Sequence, residues 1–311
     1  APSTTSVKVV DWDLRSNGGL VDLVLGGTTG ADTINLATAG FNAVAVSGSA
    51  ITATATGITG SIYVYGQAGD DFVQQNSSPI GVNFDGGDGA DKLAISAGGA
   101  SSYTFTGGAC NDFFAYLNGS GSVLSVDLGA GNDEAYVIAG SGLVGTIALG
   151  DDDDILSNSS GGFTLNGGNG NDVVISDGAN VIYGGAGDDV IVSSSAANSS
   201  IYGEAGNDLI FGGLAVDYID GGDNDDALVA SAAGGTLVGG NGADLLVGQG
   251  GNDSLNGGAG NDVLVGNDGA DTLIGGTGED LLNAGTFSEW FFDSGDPNVD
   301  SGLGEIGRAH V

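Results

Sequence analysis

Aspartate recurs at fixed intervals along much of this 311-residue chain, and it recurs beside glycine. Residues 203 to 283 divide without remainder into nine nonapeptides: GEAGNDLIF, GGLAVDYID, GGDNDDALV, ASAAGGTLV, GGNGADLLV, GQGGNDSLN, GGAGNDVLV, GNDGADTLI and GGTGEDLLN. Their common pattern is G-G-x-G-x-D-x-U-x, where U is a large apolar residue. Glycines at the first, second and fourth positions permit positive φ and close backbone approach, so carbonyl oxygens can converge. Asp at the sixth position adds a carboxylate, completing the oxygen shell that a hard cation such as calcium prefers. The acidic residues are 35 Asp against 5 Glu. A merely solvated acidic surface would use both, whereas a tight turn selects the shorter carboxylate.

The same turn recurs upstream at wider spacing. GGAGDDVIV begins at Gly184, GGNGNDVVI at Gly167, GGACNDFFA at Gly107 and GGDGADKLA at Gly86, with weaker copies from Leu149, Leu128 and Gly66. The sixth-position residues are Asp71, Asp91, Asp112, Asp133, Asp154, Asp172, Asp189, Asp208, Asp226, Asp244, Asp262 and Asp280. Their steps run from 17 to 21 residues, one per coil, which predicts a single stacked ladder of twelve. Asp32, in GTTGADTI, reads as an outlier about two coils before Asp71. Asp217, Asp253 and Asp271 form a second ladder on the opposite side, with Gly235 where a fourth Asp would stand. Farther upstream the opposite turns are rich in Ser and Asn and lack the signature. One edge is therefore expected to carry cations along most of its length, and the other only near its C-terminal end.

This tandem array strongly resembles the RTX, or hemolysin-type, calcium-binding repeat. The resemblance implies an all-β fold, a parallel β-roll or β-solenoid, here with about 18–21 residues per coil. Six residues would form a calcium-binding turn and the next three a short strand, two nonapeptides completing a coil. The resemblance also implies carbonyl co-ligands at the second and fourth positions, such as Gly240, Gly242, Gly258, Gly260, Gly276 and Gly278. Departures exist: Cys110, Ala215 and Asn224 replace the fourth Gly, and Asp151–Asp154 make one turn unusually acidic. Eleven gaps in the long ladder and one between Asp253 and Asp271 give about 12 calcium ions, enough to take the formal charge of −36 to about −12.

The elements that must hold these turns are short strands. The eighth position points inward while the seventh and ninth point outward, following the two-residue strand period. Ile210, Ile219, Leu228, Leu237, Leu246, Leu255, Leu264, Leu273 and Leu282 fill the eighth position without exception. Residues 1–20 read as an N-terminal strand or first coil with Val9, Trp12 and Leu14 as apolar anchors. Residues 21–202 read as an irregular solenoid with one calcium edge, and 203–283 as the regular β-roll. Residues 284–304, with Phe287, Trp290, Phe291 and Phe292, read as an aromatic cap or interface. Residues 305–311, EIGRAHV, have the sequence of a translated sequencing adapter, which takes Arg308 and His310 out of functional reasoning. A natural C-terminus beyond a break near 304 follows from that reading. Ala1, in a chain without Met, suggests a processed N-terminus or a fragment.

Composition excludes several classes. Glycine is 63 of 311 residues, yet Pro is only 3 and no Gly-X-Y triplet persists, so collagen is out. An apolar share of 41%, delivered in regular pulses, is not that of a disordered acidic tail. Nucleic acid and anionic membranes are poor partners for such a charge. No apolar run approaches the roughly 18 residues needed for a transmembrane helix. Cys110 is the single cysteine and reads as a small turn residue, with no adjacent cation to activate its thiol. Without His310 the chain has no histidine for a catalytic triad or zinc site, and the expectation is that it is not an enzyme. Sequons at Asn76, Asn118, Asn158, Asn198 and Asn252 allow glycan attachment, but their number is near chance, so it is not favoured.

These readings converge on an extracellular, secreted or surface calcium-binding solenoid with a structural role. The alternative is a calcium-dependent repeat fragment of a larger secreted RTX adhesin, toxin or enzyme. A solenoid's ends expose strand edges, so homo-oligomers or fibres by end-to-end contact are a further expectation.

Overall fold

A computed structural model describes residues 11–17, 20–27, 29–40, 43–48, 52–56, 60–76, 80–96, 101–119, 121–138, 142–283, 285 and 290–292. Those residues form strands and turns with no helix, so none is long and apolar enough to cross a membrane. Val9, Phe287 and the tail 305–311 lie outside the described residues. The chain divides into two compact units, 1–163 and 164–311.

In the first unit the chain alternates between two sheets. Sheet I takes Leu20–Gly26, Ile62–Ala68, Val82–Asp88, Ser102–Ala109, Val123–Ala130 and Val144–Asp151 side by side in parallel. Sheet II takes Thr33–Gly40, Phe72–Asn76, Lys92–Ser96, Phe113–Leu117, Glu134–Ile138 and Ile155–Asn158, also in parallel. Each coil adds one strand to each sheet, and the aspartate turn carries the chain from sheet I to sheet II. This is a parallel β-solenoid. Its coils are wide, and aromatic side chains fill the added width. Phe84 stacks on Phe105 with centroids 5.3 Å apart, and Tyr103 meets Tyr116 edge-on at 5.5 Å, all four buried. The buried Tyr116 hydroxyl keeps a partner in Ser122 Oγ at 2.8 Å.

The N-terminal end departs from the expected coils. Asp11–Asn17 runs antiparallel to Leu20–Gly26, as an edge strand rather than a first coil. Ala43–Gly48 runs antiparallel to Thr33–Gly40, and Thr52–Thr56 antiparallel to Ala43–Gly48. The register pairs Thr33 directly with Phe72 and Leu23 with Ile62. The 39 residues from Asp32 to Asp71 are therefore one coil carrying an inserted hairpin, and not two coils.

The second unit repeats the plan with shorter strands. Its sheet I runs from Phe163–Asn169 through Val181–Ala186, Ser200–Ala205, Asp217–Asp223, Gly235–Asn241, Ser254–Ala259 and Thr272–Thr277 to Trp290–Phe292. Its sheet II is Val173–Ser176, Val190–Ser193, Leu209–Phe211, Ala227–Val229, Leu245–Val247, Val263–Val265 and Leu281–Asn283. Eighth-position residues from Ile210 to Leu273 are all 0% exposed, while Leu282 on the last described strand of sheet II is half-buried. Full burial of one such side chain per strand supplies about 1.5–3 kcal/mol each, which offsets the entropy of ordering glycine-rich turns. Outward residues differ between the sheets. On sheet II the seventh positions align Leu209, Ala227, Leu245, Val263 and Leu281, and the ninth align Phe211, Val229, Val247 and Val265. On sheet I the seventh positions align Tyr218, Thr236, Ser254 and Thr272.

Candidate metal centre

Each turn from sheet I to sheet II places its sixth-position Asp beneath the preceding one. In the first unit the N–H of Asp32 donates to Asp71 Oδ1 at 2.6 Å, Asp71 to Asp91 at 2.8 Å and Asp91 to Asp112 at 2.6 Å. Asp112 to Asp133 and Asp133 to Asp154 follow, both at 2.6 Å. In the second unit the series is Asp172, Asp189, Asp208, Asp226, Asp244, Asp262 and Asp280, with contacts of 2.8–3.0 Å. The predicted ladder is thus present within each unit, and Asp32 joins it as the immediate neighbour of Asp71.

In ten of these carboxylates the other oxygen has no such partner. Oδ2 of Asp71, Asp91, Asp112, Asp133, Asp189, Asp208, Asp226, Asp244, Asp262 and Asp280 is buried without a hydrogen bond. An ionised oxygen in that state is costly unless something positive meets it. Glycine makes the adjoining space. A Cβ at Gly239 would collide with Asp244 Oδ2 and lie 2.5 Å from the Gly257 carbonyl oxygen of the next coil. Gly257 repeats the arrangement with Asp262 Oδ2 and the Gly275 carbonyl. In the first unit Gly66 does so with Asp71 Oδ2 and the Gly86 carbonyl. Each of these three first-position glycines therefore leaves open a cradle between a bare carboxylate oxygen and a main-chain carbonyl.

The second- and fourth-position carbonyls also face the gap between coils. Those of Gly240 and Gly242 lie against Gly258 and Gly260, and those of Gly258 and Gly260 against Gly276 and Gly278. Gly240 and Gly242 hold φ of 117° and 145°, which aims successive carbonyls to one side. Where another residue replaces such a glycine it still adopts the left-handed region: Cys110 at 80°, Asp152 at 78° and Asn224 at 79°. Ala215 is not among the positive-φ residues, so its turn has a different course.

Burial dominates the electrostatics. It pushes the carboxyls of Asp112 and Asp226 up to about 8, those of Asp71 and Asp189 to about 7, and those of Asp133, Asp208 and Asp244 to about 6. Neighbouring ladder carboxylates add to the rise at Asp71, Asp112, Asp189, Asp226 and Asp244. A divalent cation bound there would reverse that order by favouring the ionised form.

The opposite edge is mixed. Asp253 N–H donates to Asp271 Oδ1 at 2.9 Å, and Oδ2 of both residues is buried without a hydrogen bond. Burial raises Asp253 to about 7. Asp217 is different, because its Oδ1 accepts from Ser199 N–H and its Oδ2 from Gly213 N–H, both at 2.7 Å. Its carboxylate closes the turn with hydrogen bonds. Ser199 and Asn180 continue that column upstream, with Asn180 N–H donating to Ser199 Oγ at 3.4 Å. Sequence reading left these two as generic turn residues.

A further row was not anticipated. At the exposed fifth position the N–H of Asp188 donates to Asn171 Oδ1, Asn207 to Asp188 Oδ1, Asp225 to Asn207 Oδ1 and Glu279 to Asn261 Oδ1, at 2.8–3.2 Å. Two hydrogen bonds from Asn207 hold the Asp188 carboxyl below its ordinary value. The sequence signal was the Asn/Asp bias just before the ladder aspartate.

Among the described residues no three His, Cys, Asp or Glu side chains come together as a metal cluster. A cation in these turns must therefore draw on main-chain carbonyls as well as carboxylates, the donor set that calcium accepts. Residues 164–178, 176–199, 193–228, 229–264 and 256–287 match the four-copy profile of the RTX calcium-binding nonapeptide repeat. Residues 164–287 carry RTX repeats. Calcium binding is thus the property of this β-roll, and the bare oxygens and glycine cradles of the RTX stretch are suited to it. The first unit shows the same ladder outside the matched residues. No significant match to a curated protein was found for the chain. Of the sequons, Asn158 is 2% exposed and its side-chain amide donates to Ser160 O at 2.7 Å, which bars glycan attachment in the folded state.

Proposed function

We propose that this chain is a calcium-folded solenoid of the extracellular space or cell surface, structural and not catalytic. The column of buried, partnerless Oδ2 atoms carries the reading. Each ladder aspartate except the terminal ones would serve the ions above and below it, with the second- and fourth-position carbonyls as co-ligands. About 12 ions would fill the gaps of the first unit's ladder from Asp32 to Asp154, those of the second unit's from Asp172 to Asp280, and the Asp253–Asp271 gap. The first unit would bind through Asp71, Asp91, Asp112 and Asp133 in the manner of the RTX stretch. Extracellular calcium modules work at dissociation constants of about 10⁻⁴ to 10⁻³ M, which suits a chain that stays unfolded inside a cell and folds outside.

Strand edges bear on end-to-end fibres. In the first unit the antiparallel strands Asp11–Asn17 and Thr52–Thr56 break the coil register, whereas in the second Trp290–Phe292 continues it in parallel on Thr272–Thr277. The antiparallel strands favour capping over continuation, so axial growth is the weaker part of the reading. The deciding experiment counts bound calcium by elemental analysis of the dialysed protein and follows circular dichroism as calcium is added. About 12 ions bound with a parallel gain of β signal is expected. Four ions or fewer would confine binding to a short stretch, and a fold indifferent to calcium would overturn the proposal.

A further inference from the structure

We propose that the outer face of sheet II in the second unit is the contact surface for a second copy of this chain, laid across it as a two-fold pair. The outward rows of that sheet are apolar in coil after coil from Val173 to Val265, without one charged residue. The chain as a whole carries 40 acidic residues. Leu209 is 37% exposed, Phe211 38%, Leu245 42% and Leu281 53%, and the adjoining turn adds Leu214 at 72%. Strand formation does not demand this. Sheet I builds equally regular strands with Tyr218, Thr236, Ser254 and Thr272 outward.

Area and charge together select the occupant. Two outward apolar side chains on each of six successive strands, Val173–Ser176 to Val263–Val265, make one uninterrupted strip, the kind of surface from which a standard interface of roughly 800 Å² per partner is built. Monomers rarely leave a large contiguous apolar patch uncovered. Two polyanions can meet only where their carboxylates stay apart, and this strip is free of them. The charged residues Asp188, Asp225 and Glu279 stand in the flanking turns, where solvent and salt screen them. A second copy offers an identical strip of equal length. A two-fold axis through the Ala227 row would set Leu209 of one copy against Leu245 of the other and Val263 against Val190, with the small Ala227 allowing close approach.

The contact requires the calcium-folded unit, so circular dichroism on the same samples separates loss of fold from loss of contact. Sedimentation of the full chain in calcium, at concentrations up to on the order of 100 µM, is expected to reach a dimer and stop. Leu209→Lys with Leu245→Lys, at exposed positions, is expected to abolish the dimer while leaving the calcium titration unchanged. Independently, in a Cys110→Ser background, Ala227→Cys should cross-link through a short bismaleimide across sheets about 10 Å apart. Thr236→Cys on sheet I should not. A wild-type chain that remains monomeric overturns the proposal. So does a mass that grows without limit and ignores the lysine pair, which would indicate axial assembly, and so does flotation with zwitterionic vesicles in place of dimerisation.

Discussion

The backbone N–H of Asp244 donates to Oδ1 of Asp262 in the next coil, 2.9 Å away. That bond holds one oxygen of the carboxylate in the ladder while the other, Oδ2, stays buried and bare. One side chain thus zips two coils together and presents charge to the gap between them. Neighbouring coils repeat this about 4.8 Å apart, so an unneutralised ladder repels itself along its length.

Chelation is expected to unfold the chain at neutral pH. Far-ultraviolet circular dichroism in excess EGTA should lose most of its β signal, and added calcium should restore it. Unchanged spectra would show that the ladder is stable without ions.

The pH dependence of the calcium-free chain should run opposite to that of calcium binding. Burial raises Asp112 and Asp226 to about 8 and Asp71 to about 7, against about 3.9 in the unfolded chain. The folded state therefore holds more protons, and its stability falls as pH rises from about 4 to about 8. The apo melting temperature should be higher at pH 5 than at pH 8. Calcium must displace those protons, so its affinity should be weaker at pH 6 than at pH 8.

Asp262→Ala should weaken calcium on both sides of its coil and strand the Asp244 N–H without its acceptor, a cost of about 1–3 kcal/mol. Asp177→Ala removes an exposed carboxylate outside the ladder and should be nearly neutral. Calorimetric titration of the two variants compares them directly, and equal losses would contradict the ladder assignment.

Gly239→Ala would push a methyl group into the space between Asp244 Oδ2 and the Gly257 carbonyl. Loss of at least one bound ion and a lowered melting temperature are expected. Gly30→Ala meets nothing within 4 Å and provides the control.

Much of this was legible because glycine and aspartate hold fixed offsets, and fixed offsets are what stacking requires. The ladder and the buried eighth position both follow from that period. The inserted hairpin was not legible, since Ala43–Gly48 and Thr52–Thr56 alternate as coil strands do and only their antiparallel pairing distinguishes them. Asp217 matches the motif, yet Ala215 lacks the left-handed turn and its carboxylate is taken by Ser199 and Gly213. The apolar face was hidden for another reason. Successive nonapeptides belong to alternate sheets, so the seventh position follows no pattern along the chain until Leu209, Ala227 and Leu245 are separated from Tyr218, Thr236 and Ser254.

The short parallel strands of residues 203–283 also define how this stretch would respond to force. Each coil is joined to the next by the same few main-chain bonds and one aspartate contact, repeated every 18 residues. Pulled from its C-terminal end, the stretch would peel one coil at a time, each releasing roughly 60 Å of extended chain. A cation seated between turns would set the load at which each coil lets go. The material would then yield in equal steps whose height follows the calcium around it.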